Sequence, residues 1–86
     1  MNTKQIKILR YLLRSDNKLG EERLYTYADM EKGTRLSRKQ LHREITRLRH
    51  LGFVIHEQAW SERYDWYSGS GFMIEPNKRI EVEKLV

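Results

Sequence analysis

Residues 35–50 read Arg-Leu-Ser-Arg-Lys-Gln-Leu-His-Arg-Glu-Ile-Thr-Arg-Leu-Arg-His. Six of them, Arg35, Arg38, Lys39, Arg43, Arg47 and Arg49, are cations, and Glu44 is the one acid. The window therefore carries +5, which is the formal net charge of the whole 86-residue chain. Outside it, eleven basic and eleven acidic residues cancel. Guanidinium and ammonium groups at this density neutralise phosphates and release the counterions of a polyanion. An arginine also forks onto the O6 and N7 acceptors of guanine, and a lysine donates to acceptors of the same type.

Other chemistries find less support. There is no cysteine, so neither a disulfide nor a thiolate metal site is available. His42 and His50 are about two helical turns apart, roughly 12 Å, too far for one ion. His56 falls on another element, and no clustered carboxylate joins the three. Ser37 is explained by helix capping, and no Gly-rich phosphate loop is present. The expectation is a protein that is not an enzyme and needs no metal or cofactor.

To act together the cations need a helix. Ser37-x-x-Gln40 is a capping-box signature, and Leu41, Ile45, Leu48 and Leu51 follow at helical spacing before Gly52. At 100° per residue the opposite face holds Lys39, Arg43, Thr46 and His50, with His42 and Arg47 at its flanks. An earlier helix is expected from Lys4, capped by Thr3, with Ile6, Leu9 and Leu13 as its stripe and Ile8 and Leu12 widening it. Residues 15–20 read as a loop and Leu24-Tyr25 as a short extended piece. Thr26 and Asp29 box the start of a second helix, with Ala28 and Met30 inward and Gly33 at its end. Strand-like composition follows at 53–58, 64–67 and 72–75. Residues 79–86 begin with period-two alternation and are expected as an extra strand or a dimer contact.

The implied class is α+β, a winged helix-turn-helix of three helices plus a C-terminal β-hairpin wing. The domain is expected over 1–76, with 77–86 as a tail. An apolar share of 38% with 34% charged residues is enough for one modest core. No apolar run suits a transmembrane helix or signal peptide, so the expected location is cytoplasmic.

Residues 26–52 resemble the winged helix-turn-helix at the N-terminus of the biotin repressor and related bacterial regulators. The family's third helix has a Ser-Arg start, apolar residues and a Leu-Arg-x-x-Gly finish. Ser37-Arg38, Leu41, Ile45, Leu48-Arg49 and Gly52 stand in those places. Its wing ends in Gly-x-Gly-aromatic, then an acid and proline, matched by Gly69-Ser70-Gly71-Phe72-Met73-Ile74-Glu75-Pro76. With the first helix included, the likeness runs over roughly residues 3–76. The chain departs in a longer segment between the strands and in Thr34-Arg35, where the family has an apolar residue and glycine. It also leaves no room for the ligase domain, so biotin chemistry is not implied.

The resemblance implies a partner, double-stranded DNA, with helix 37–51 in the major groove and hairpin 53–75 as the wing. Lys39, His42, Arg43 and Thr46 would face bases. Arg35, Ser37, Arg38, Arg47 and the wing's Arg63 would meet phosphate. The function expected is that of a small, sequence-specific transcriptional regulator, acting as a homodimer because one module covers a short site. Trp60, Tyr64, Trp66 and Tyr67 suit a core, a protein interface or stacking on bases. They and the unusual turn leave open a protein-interaction module on the same scaffold. A phage or plasmid replication or recombination factor would use the same module. No membrane or small-molecule partner is expected.

Overall fold

The computed structural model describes residues 1–14, 24–59 and 70–86. Four helices and two strands lie within them: α1 (Thr3–Leu13), α2 (Tyr27–Thr34), α3 (Arg38–His50), β1 (Ile55–Ala59), β2 (Ser70–Ile74) and α4 (Arg79–Leu85), the last entered through a 3-10 turn at Pro76–Lys78. The class is α+β, with four helices where three are expected.

Three reciprocal caps start the first three helices. Ser37 Oγ accepts from the Gln40 N–H at 3.2 Å, and Gln40 Oε1 accepts from the Ser37 N–H at 3.0 Å. Thr26 and Asp29 do the same for α2 at 3.1 and 3.0 Å. In α1 the cap is Asn2, boxed with Gln5 at 2.8 and 3.1 Å, one residue before the expected Thr3. The third residue after Thr3 is Ile6, which cannot reciprocate. Asn2 has Gln5 in that place, and the pair closes both orphan amides.

The end of α2 also differs from expectation. Gly33 lies inside the helix, and Arg35 takes the left-handed conformation at φ 63° and ψ 20°. A Cβ on Gly33 would stand 2.1 Å from Cε2 of Tyr11. The missing side chain thus serves the close approach of α1, and the left-handed cap falls to the next permissible position. The buried Thr34 braces this turn: its hydroxyl donates to the Met30 carbonyl at 2.6 Å and accepts from the Leu36 N–H at 3.3 Å. Leu36 is buried behind it.

The core gathers Ile8, Leu9 and Leu12 from α1, Met30 from α2, and Leu41, Ile45 and Leu48 from α3. Ile55, Phe72 and Ile74 join from the strands. Ile6 and Leu13 are only half-buried, and Ala28 is exposed. Leu51 does not continue the buried stripe. It is the C-cap of α3 and 62% exposed. Gly52 follows with φ 102°, the expected left-handed exit.

β1 and β2 pair antiparallel with Ile55 opposite Ile74 and Glu57 opposite Phe72. On its other side Phe72 exchanges both backbone bonds with Tyr25, at 2.9 and 2.7 Å. The short extended piece before α2 therefore edges the sheet and ties it to the helices.

Residues 79–85 form a helix, not the expected strand. Ile80 and Val82 suggested period two, yet Val82 is buried and Ile80 is 69% exposed. Val82 and Val86, one helical turn apart, are the pair that packs inward. The core thus runs past residue 76, and Val82 is not on the surface for a dimer contact. Arg79 secures α4 by donating from Nη2 to the Leu13 carbonyl at 2.7 Å, a cation at the C-terminal end of α1. Among the described residues no helix is long and apolar enough to cross a membrane.

Candidate nucleic-acid interface

Helix α3 has a buried arc and an exposed arc. Leu41, Glu44, Ile45 and Leu48 are buried, and Lys39, His42, Arg43, Thr46 and His50 are all exposed. At 100° per residue the exposed five form one contiguous ridge opposite the buried four. The capping box fixes where the ridge begins, and the three apolar residues fix which way it faces.

The cations are not equivalent. Lys39 and Arg43 make no side-chain hydrogen bond or ion pair among the described residues, nor does the Arg35 side chain. Arg38 has its guanidinium carbon 4.9 Å from the Tyr27 ring centroid and its Nε 3.4 Å from Glu31 Oε1. It keeps 66% of its side chain exposed, so these weak contacts orient it without hiding it.

Arg47 donates from Nη1 to Glu44 Oε1 at 3.0 Å. Glu44 is 2% exposed and also accepts from Nδ2 of Asn2 at 3.4 Å. A buried carboxylate needs a paired charge, and Arg47 supplies it. Arg49 donates from Nε and Nη2 to the Ile55 carbonyl at 3.1 and 2.8 Å. Arg49 thereby holds the end of α3 to the start of β1, while Arg47 pairs within α3 with the Glu44 to which Asn2, the cap of α1, donates.

On the ridge, His42 Nδ1 lies 3.3 Å from the Tyr27 hydroxyl. Thr46 Oγ1 donates to the His42 carbonyl at 2.8 Å. Ser37 is exposed at the helix N-terminus, its hydroxyl engaged in the cap. Of the nine expected contact residues, eight lie on α3 or the turn before it. Arg63 lies outside the described residues, as do Trp60, Tyr64, Trp66 and Tyr67. Sequence reasoning did not find Tyr27, which reaches α3 from the first position of α2. No spacing rule within α3 points to it; only tertiary packing brings the two helices together.

The described residues hold no group of three or more His, Asp or Glu able to bind a metal ion. What the arrangement can do is donate hydrogen bonds and positive charge, from one face of one helix, to an anionic ligand. No protein-family model, curated protein or solved structure matches the chain.

Proposed function

We propose that this protein binds duplex DNA through a winged helix-turn-helix and acts as a small transcriptional regulator. The observation that carries the reading is the exposed ridge of Lys39, His42, Arg43, Thr46 and His50 opposite the buried stripe of α3. It is the form a recognition helix takes: one face locked to the core, the other offering donors to the major groove. The three-residue turn from Arg35 to Ser37 between α2 and α3 suits a helix-turn-helix. Tyr25 at the sheet edge and the antiparallel β1–β2 pair suit a wing. α4 is an addition to the three-helix plan.

Lys39, His42, Arg43 and Thr46 are assigned to base edges, and Arg35, Arg38 and the N-terminus of α3 at Ser37 to phosphate. Arg47 reaches phosphate only by sharing itself with Glu44. Because one module spans a short site, specific binding calls for two copies.

A salt titration on random duplex DNA tests the reading. Four to five phosphate contacts predict a log–log slope on the order of −4. Absence of binding at low salt overturns the DNA reading. Retention of an acidic protein surface in its place would favour the interaction-module alternative.

A further inference from the structure

Tyr27 is the point where α2 touches the ridge. Its ring meets Phe72 edge-on, with centroids 4.9 Å apart and planes at 71°, and it packs against the core. Arg38 covers its face and the hydroxyl reaches Nδ1 of His42. A ring held on both sides fixes where its hydroxyl stands. That hydroxyl keeps its proton: burial, and then the nearby Glu57 carboxylate, push its pKa up, outweighing the opposite pull of Arg38 and Arg49. The proton is there to be donated to a bare Nδ1, and with Tyr27 as the donor of the pair the neutral imidazole carries its own proton on Nε2.

We infer that Tyr27 sets the specificity of the ridge: by holding His42 with Nε2–H outward, it makes the ridge a reader of guanine in duplex DNA. The inference rests on the proposed DNA-binding reading. Lys39 and Arg43 carry donors and no acceptors. With His42 fixed as a donor, all three side chains in the first two turns of α3 demand acceptors. In the major groove guanine offers two acceptors, N7 and O6, and no donor, whereas adenine pairs its N7 with an amino donor. One turn further on the demand changes. The Thr46 hydroxyl proton goes to the His42 carbonyl, so Thr46 presents a methyl group and lone pairs. Those match the thymine methyl or the cytosine amino group. The site expected is one or more guanines facing the start of α3, followed by a pyrimidine.

Two measurements test this, and they fail separately. The first uses the free protein, by 15N NMR of the histidine rings at a pH where His42 is neutral. Wild-type His42 is expected to show Nε2 protonated and Nδ1 bare and hydrogen-bonded, with Nδ1 moving toward a free imidazole in Tyr27→Phe. A proton on Nδ1, or identical His42 shifts in the two proteins, overturns the role of Tyr27. The second takes a duplex selected by the wild-type protein from a randomised pool and replaces its guanines with 7-deazaguanine. Affinity is expected to fall about five- to tenfold per contacted guanine, the cost of one lost acceptor. An unchanged affinity overturns the guanine assignment and leaves duplex binding standing. Failure of the pool to yield any bound duplex overturns the DNA reading and the guanine assignment with it. Tyr27→Phe keeps the ring under Arg38. It is therefore expected to retain the salt slope on random DNA while losing discrimination at one guanine, as His42→Ala does. In the double variant the two losses should not add; additive losses overturn the coupling.

Discussion

Arg43 and Arg49 stand six residues apart on α3, two guanidinium groups on one helix with different occupations. Arg43 is exposed and unpaired among the described residues. Arg49 is forked onto the Ile55 carbonyl. The same contrast separates Lys39 from Arg47, which neutralises the buried Glu44. The N-terminal part of α3 keeps its charge available and the C-terminal part uses its charge to hold the fold. Formal charge therefore overstates what a ligand can meet. Of the six cations in the 35–50 window, two are engaged by the protein itself, one is lightly braced, and three stand open.

The largest effect should come from breaking the open set. Lys39→Ala with Arg43→Ala is expected to weaken binding to a selected duplex by about 2–4 kcal/mol and to relax its sequence preference, which a phosphate contact would not do. The melting temperature should stay within the range of neutral surface changes. A loss of stability would mean the ridge is structural and the comparison false.

Arg49→Ala should do the converse. Leaving the Ile55 carbonyl without its charged donor is expected to cost about 1–2 kcal/mol of stability, read by chemical denaturation, with the salt slope unchanged. A flattened slope would move Arg49 to the open set.

Arg35→Gly sharpens the comparison from both sides. A non-glycine residue at φ 63° carries a steric cost that glycine avoids. The variant should gain about 1 kcal/mol of stability while its salt slope shrinks by about 1. Stability and binding moving in opposite directions would show that the strained arginine is kept for its charge.

The smallest effect concerns acid. A His56 ring N–H donates to the Glu75 carboxylate, and that bond, ahead of the weaker influences around it, holds the Glu75 pKa below its ordinary value of 4.5. The folded chain keeps this carboxylate at pH values where the unfolded chain protonates it. Its contribution is intact above the ordinary value and is lost as pH falls through it toward the lower folded value. Melting curves from about pH 6 to pH 3 should therefore fall less steeply for Glu75→Gln. An identical slope would remove the pair from the forces on the sheet.

Much of this was legible in the sequence because it depends on neighbours in the chain. Thr26…Asp29 and Ser37…Gln40 are local reciprocal bonds, and Leu41, Ile45 and Leu48 are one helix face. Gly52 is a cap whose conformation few other residues accept. What was missed depends on distant partners. Gly33 looked like a helix end until Tyr11 is seen to occupy the space of its side chain. Residues 79–86 looked like a strand because Ile80 and Val82 alternate, and only packing shows that Val82 and Val86 are the inward pair. For Arg47 and Arg49 the sequence leaves phosphate contact and intramolecular pairing both open; Glu44 at helical spacing offers Arg47 a partner, but nothing near Arg49 names Ile55 as its acceptor and nothing marks Glu44 as buried. The ridge could be read in advance; which of its flanking charges remain open could not.

The bond from Arg79 to the Leu13 carbonyl also has a consequence in time. The C-terminal end of helix α1 receives this partner only when residue 79, 66 positions later, arrives. Its N-terminal cap meets Glu44 midway. Contacts this distant in sequence require long loops to close before they stabilise anything. The nascent chain thus holds α1 with part of its packing surface uncovered until α4 has been made. Helix α1 is sealed only by α4, and these elements should fold as one cooperative event in which α4 closes the core.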